Sequence, residues 1–224
     1  MDSTAQPGGG IEAPETQGLV MNWGWRYDLM LWAVDGLLGG RLRALRHRTL
    51  ELAAPQPGES VLDVGCGTGT LALQASAVVG QTGRVAGIDP GSRQIARARS
   101  KADRVGRAVD FRTGVIENLP FADDSFQVVL STMMLHHLPE DLKRRGLSEI
   151  RRVLEPRGRL VVADFLRPEK GDHGRSSFGA GETGAQDQPE LLERAGFDVV
   201  EREVHQLPRL PMVPGAGLLL ARKP

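Results

Sequence analysis

The run Val61-Leu62-Asp63-Val64-Gly65-Cys66-Gly67-Thr68-Gly69-Thr70 restricts the folds open to this chain more than any other stretch. Four residues, apolar except for Asp63, lead into three glycines at alternate positions, and an apolar helical pattern follows. Such a run predicts a buried parallel strand that ends in a tight loop and opens a helix. Glycine takes φ > 0 without strain and leaves no Cβ between a ligand and the main chain. The loop amides and the helix start then face the crevice above the strand ends.

The spacing here is G-x-G-x-G. The dinucleotide fingerprint G-x-G-x-x-G requires glycine at position 70, where Thr70 stands. The next predicted strand, Arg84-Val85-Ala86-Gly87-Ile88, ends in Asp89. A carboxylate at that strand tip accepts hydrogen bonds from both hydroxyls of a ribose. With these residues the chain resembles the class I S-adenosylmethionine (SAM)-dependent methyltransferases, closely over about residues 57–165 and more loosely to the C-terminus. The run Glu117-Asn118-Leu119-Pro120-Phe121-Ala122-Asp123-Asp124-Ser125-Phe126 is similar to a segment of the same group and is more specific than the glycines.

The resemblance implies a fold and a set of contacts. The fold class is α/β, a three-layer α/β/α Rossmann-like methyltransferase fold with a seven-stranded, mostly parallel sheet, an antiparallel last strand and an N-terminal helical cap. The implied cofactor is SAM, with no metal. Asp63 orients the glycine loop or approaches the methionine amino group, and Gly65, Gly67 and Gly69 permit close backbone contact. Asp89 holds the ribose. Pro90 and Ile116 flank the adenine, and Ser131 and Thr132 sit where the methyl group points. Tyr27 and Asp28 lie over the site, as a Tyr-Asp pair does in many small-molecule members.

Three positions depart from the family pattern. Val115 stands where an Asp usually accepts a hydrogen bond from the adenine amino group, and Gln127 where Asp is frequent. Arg157 replaces the first glycine of a turn before Gly158. Losing one adenine contact costs about 1–2 kcal/mol, about tenfold in affinity.

Composition narrows the function classes. Lys+Arg and Asp+Glu are both 28, so no global field favours nucleic acid. The single Cys66 forms no internal disulfide, in keeping with a reducing cytosol, and its expected job is small-residue packing. No run of about 18 apolar residues exists, and the N-terminus lacks a signal-peptide layout. The expected localisation is cytoplasmic, with peripheral membrane contact left open and the oligomeric state undetermined.

Along the chain, residues 1–20 are expected to be a disordered tail, 21–55 a helical cap and 56–224 the SAM-binding domain. The cap predicts helices over about 27–38 and 41–54, the second stopped by Pro55 and Pro57. Ile95, Ala98, Ala102 and Val105 form one predicted core stripe, with Arg93, Arg97, Lys101 and Arg104 as a solvated basic stripe. Residues 168–188, rich in Gly and Ser, predict a mobile loop or lid. Phe197–Val204 and Gly217–Ala221 predict a closing hairpin.

Methyl transfer from a sulfonium rewards alignment and water exclusion. His136 and His137, just after the fourth strand, are the candidate bases for an incoming hydroxyl or amine. Asp164, ending the fifth strand, is a candidate for binding a cationic substrate. The expected activity is methyl transfer to an O or N atom of a small-molecule or lipid acceptor. A SAM-binding protein without turnover, such as a sensor or assembly partner, and a C-methyltransferase of a quinone-like acceptor remain alternatives. Thr70 argues against a nicotinamide dehydrogenase, and the neutral charge against a nucleic-acid enzyme.

Overall fold

A computed structural model describes residues 16–166, 184–205 and 215–224. The mobile loop expected at 168–188 lies largely outside the described residues, as does the tail up to residue 15. Two helices, α1 (Trp25–Leu37) and α2 (Arg41–Ala53), precede the sheet. Then come β1 (Ser60–Val64), α3 (Thr70–Val79), β2 (Arg84–Asp89), α4 (Ser92–Val105), β3 (Asp110–Thr113) and β4 (Phe126–Thr132). After β4 a short 3₁₀ turn, Leu135–His137, leads into α5 (Glu140–Val153), β5 (Leu154–Phe165), α6 (Gln188–Arg194), β6 (Asp198–His205) and β7 (Ala216–Arg222).

The seven strands run in the order β3-β2-β1-β4-β5-β7-β6. β1 pairs in parallel with both β2 and β4, and β7 runs antiparallel to β5 and β6. The chain therefore leaves β1 in one direction for β2 and β3 and later returns on its other side for β4 and β5. The crevice at that reversal is where open α/β sheets bind ligands.

Both faces of the sheet are covered, which explains the near-continuous apolar strands. Val61, Val128, Leu130 and Val161 pack with residues of α2, α3 and α4 on one face. Leu62, Val129, Leu160 and Val162 pack with α5 and α6 on the other. Neighbours in sequence thus serve opposite cores, as the strand period of two demands. Of the cap expected over 21–55, α2 joins the main layers: Leu45 and Leu52 belong to the first core. α1 buries no residue at all. Val105, expected in the α4 stripe, is exposed, whereas Ile95, Ala98 and Ala102 are buried.

Arg157, where the resemblance implies glycine, lies within β5 and takes the left-handed region at φ 66°. Its amide donates to the Lys223 carbonyl at 2.9 Å, so the conformation is held by the sheet. A left-handed non-glycine costs about 1–2 kcal/mol, and a glycine there gives back about 0.5–1 kcal/mol in unfolded-chain entropy. Arg157→Gly is expected to stabilise the protein by about 0.5–1 kcal/mol in chemical denaturation. A destabilised variant would show that the arginine side chain contributes more than its backbone strain.

Candidate active site

Two connected hollows lie above the carboxyl ends of β1, β2 and β4. The first is a cleft of about 690 Å³, counting its open mouth. Val64, Gly65, Gly67, Asp89, Pro90, Ile116, Thr132 and His137 line it. The second is a larger cavity of about 1220 Å³, roofed by Tyr27, Met30, Leu31 and Val34 of α1. Asp63, Thr132, His136, His137 and Phe165 contribute to its walls. Gly65, Gly67, Tyr27, Thr132, Met133 and His137 border both.

The glycine loop turns as its residues predict. Gly65, Gly67 and Gly69 all have positive φ, at 72°, 53° and 75°. A Cβ on Gly65 would overlap the Met134 side chain, and one on Gly69 would sit 2.5 Å from Phe111 Cζ and 2.9 Å from Ala98 Cβ. The main chain is thus pressed against the sheet on one side and open to the cleft on the other. Over Gly67 the nearest neighbour is the Tyr27 ring, 3.6 Å from where a Cβ would be.

Asp89 accepts from the Gly67 amide at 3.0 Å and the Gly91 amide at 2.8 Å. Burial pushes its carboxyl up to about 6 despite these bonds. Two carboxylate oxygens offer about four acceptor sites, so capacity remains for two hydroxyls. Asp63 is buried, and its Oδ2 accepts from the Ala72 amide at 3.1 Å, which ties β1 to α3. Its Oδ1 has no partner among the described residues, and burial, with Asp89 nearby, raises the carboxyl to about 7. An orphaned acid oxygen beside a cavity fits a cationic ligand group.

Several expectations change. Asp28 does not reach into the site. It accepts from the Thr68 hydroxyl at 2.5 Å, pairs with Arg97 at 2.6 Å, and has Lys101 at 3.4 Å. The basic stripe of α4 is therefore partly an anchor for α1 rather than a solvated face. Ser131 is buried in the sheet and borders neither hollow; its hydroxyl is unpartnered among the described residues.

The strand-tip histidines differ from each other. The His136 Nδ1 lies 2.5 Å from Asp164 Oδ1, and its amide donates to Asp164 Oδ2 at 3.0 Å. Gln188 Nε2 and the Phe165 amide also donate to that carboxylate. Asp164 is therefore fully committed to holding an imidazole, not to a cationic substrate as expected. An accepting carboxylate fixes the proton on Nδ1 and leaves Nε2 with the lone pair. His137 stacks on His136 with ring centroids 3.8 Å apart, and its Nδ1 has no partner among the described residues. Burial, then the neighbouring His136, lowers His137 to about 4.

Within the segment expected as a tail, Thr16, Gly18 and Leu19 border the cleft. Thr16 donates to Glu117 Oε1 at 2.7 Å, and the Leu19 amide donates to the His137 carbonyl at 3.3 Å. Glu117 lines the cleft beside Val115, and its Oε2 is buried without a partner among the described residues. Arg46, on the wall of the larger cavity, likewise shows no hydrogen-bond or ion-pair partner among the described residues. Neither was singled out from the sequence. The available signal for Glu117 was a carboxylate two residues from the missing Asp.

A doubly wound sheet, a glycine cradle and an acid at the tip of the second strand define a nucleoside-binding α/β domain. Residues 61–158 match a family model described as a methyltransferase domain. An arsenite methyltransferase of Halobacterium salinarum is 36% identical over 157 residues, covering 66% of this chain and 40% of that protein. The ubiquinone/menaquinone biosynthesis C-methyltransferase UbiE of Ectopseudomonas mendocina is 37% identical over 145 residues, 64% of this chain and 55% of that one. The chain spans about half the length of the curated relatives it matches. Among solved structures, the cyclase SpnF superposes with a TM-score of 0.71 at 25% identity, over 81% of each chain. A SAM-dependent methyltransferase from Aquifex aeolicus gives 0.65 at 22% identity over 79% of this chain and 88% of that one, a likeness of fold.

Proposed function

We propose that this protein transfers the methyl group of SAM to an O or N atom of an apolar small-molecule acceptor, with the oxygen of a weakly acidic hydroxyl favoured. The observation that carries this reading is the Asp164–His136 pair on the wall of an apolar cavity that adjoins the nucleoside cleft. His136, held by Asp164 with Nε2 free to accept, would take the proton of the hydroxyl. His137 is the poorer base, because a conjugate acid near 4 gives little driving force at neutral pH. A phenol or enol suits such a site better than an alkylammonium, since a cation would lose its hydration among Met30, Leu31, Val34 and Phe165.

The donor set fits the cofactor. SAM when bound supplies an electrophilic methyl group on a sulfonium. Asp63 Oδ1 would accept from its ammonium, Arg46 would pair with its carboxylate, and Asp89 would take the ribose hydroxyls. Glu117 Oε2 would accept from the adenine amino group in place of the acid missing at Val115, between Pro90 and Ile116. Tyr27 closes over the glycine loop and keeps water out. Glu117→Gln is expected to weaken SAM binding by about tenfold in calorimetry, the value of one charged hydrogen bond. An unchanged affinity would remove Glu117 from the adenine subsite.

Asp63 makes binding pH-dependent. Its folded pKa is raised, from 3.8 to about 7, so below about 7 it is largely protonated and cannot pair with a cation. SAM affinity should therefore fall about tenfold as pH drops from 8 to 6, with proton release on binding. Stability of the ligand-free protein should move the opposite way, declining as pH rises from about 4 through about 7, because the folded state there holds the extra proton. Calorimetry in buffers of different ionisation enthalpy measures the proton count. No release would place the ammonium elsewhere.

Incubation with SAM and a panel of apolar phenols, enols and amines tests the activity. Methyl ether or methylamine with released S-adenosylhomocysteine supports the reading. SAM binding without product from any acceptor supports the sensor alternative. A carbon-methylated product supports the second reading, favoured by relatives named as C-methyltransferases. A phenolate is nucleophilic at oxygen and at ring carbon, so the same base serves both. Arsenite is a poorer fit, since trivalent arsenic seeks several thiolates. Cys66 is the chain's single cysteine, and burial pushes its thiol well up.

A further inference from the structure

We propose that the outer face of α1 docks the protein on an anionic lipid bilayer. α1 is apolar on two opposite sides, which a surface helix ordinarily is not. Its inner side, with Met30, Leu31 and Val34, roofs the acceptor cavity. Its outer side carries Trp25, Leu29 and Trp32, all exposed, with Trp32 at 75%. Trp25, Leu29 and Trp32 stand at i, i+4 and i+7 and form one stripe. Trp23, Val20 and Leu19, just before α1 in the chain, are exposed as well. Isolated exposed apolar residues need no explanation, but a contiguous patch with two tryptophans on one helix does.

The surrounding charge selects the partner. Arg26 on α1 itself and Arg41, Arg43 and Arg93 on the segments around it are exposed. Arg93 is tied to the patch by its amide, which donates to Asn22 Oδ1 at 2.7 Å. The two carboxylates of α1 are turned away from the surface. Asp28 is engaged by Thr68, Arg97 and Lys101. Asp35 accepts from the Leu42 and Arg43 amides and faces the Arg43 guanidinium at 3.6 Å. What remains outward is tryptophan and leucine ringed by arginine. That is the complement of an interface of acyl chains beneath anionic headgroups. Tryptophan favours that boundary because its ring is apolar and its N–H still finds a polar partner.

Thirteen residues are too few to cross a bilayer, and among the described residues no helix is long and apolar enough to do so. α1 therefore lies in the plane of the interface. Its inner side would then bring the cavity roof to the lipid boundary, where apolar molecules are concentrated. Delivery of an acceptor through that roof rests on the function proposed above; the docking itself does not.

The three tryptophans of the chain, Trp23, Trp25 and Trp32, all lie in this segment, so selectively excited tryptophan fluorescence reports on it. The full-length protein is mixed with phosphatidylcholine vesicles and with vesicles containing phosphatidylglycerol. Expected are co-sedimentation and a blue-shifted emission with the anionic vesicles, quenching by acyl-brominated lipid, and weakening by added salt. Trp25→Ala with Trp32→Ala should reduce vesicle affinity about tenfold or more and leave SAM affinity unchanged. No sedimentation with anionic vesicles, or equal binding by the double variant, would overturn the proposal. So would a blue shift without lipid that tracks a dimer in sedimentation velocity, since a second copy would then cover the face. Failure of the vesicle test leaves the acceptor assay untouched, and failure of that assay leaves this one untouched.

Discussion

Replacing His136 by Ala should lower turnover by about 10²–10⁴-fold, the usual worth of a positioned general base, while SAM affinity changes less than about twofold. The separation follows from placement: His136 borders the larger cavity but not the nucleoside cleft. Asp164→Asn should also lose turnover, because an amide can present a donor to Nδ1 and favour the wrong tautomer. Asp164 is buried and accepts four hydrogen bonds, so the variant must be checked for folding. The diagnostic readout is the split between turnover and SAM affinity, since a base acts on the chemical step alone. His137→Gln should keep most of the turnover that His136→Ala loses. A loss of less than about tenfold in His136→Ala would mean that alignment alone supplies the rate.

The second large effect is on the cofactor. Asp89→Ala should weaken SAM binding by about 10²-fold, since it removes both ribose contacts and frees the Gly67 and Gly91 amides that shape the loop. Asp89→Asn should fall between, because it still accepts one of those bonds. The thermal stability of the ligand-free protein should change less than the affinity does. Burial already raises the Asp89 carboxyl to about 6, so its charge costs stability at neutral pH and offsets the lost bonds. Unchanged SAM affinity in Asp89→Ala would displace the ribose from the tip of β2.

The elements that were legible in the sequence are those set by local periodicity and backbone sterics. β1, the glycine loop and α3 follow from a short apolar run, three glycines and a helical pattern, and Asp89 from its place at the next strand tip. The hairpin expected at Phe197–Val204 and Gly217–Ala221 appears as β6 and β7. In each case the deciding interactions lie within a few residues, so the reading needed no knowledge of the rest of the chain.

The side-chain partnerships were decided elsewhere. The parallel register of β4 on β5 sets Thr132 opposite Ala163, and so brings the turn after β4 beside Asp164, 28 residues away from His136. No local pattern specifies that pairing, and from sequence alone Asp164 read as a substrate ligand. Likewise Asp28 is drawn from the site by Thr68, Arg97 and Lys101, which only the packing of α4 brings within reach. The acid beside Val115 emerged at Glu117 because the loop folds that carboxylate into the cleft. The sequence by itself determined the sheet, the glycine cradle and the acid facing it, through steric rules that act over one or two turns of chain. Tertiary structure alone decided which histidine is held by an acid, which carboxylates stay unpaired, and which side of α1 is left to the surroundings. Those outcomes depend on contacts between residues far apart in sequence, and their pairing is a property of the assembled layers.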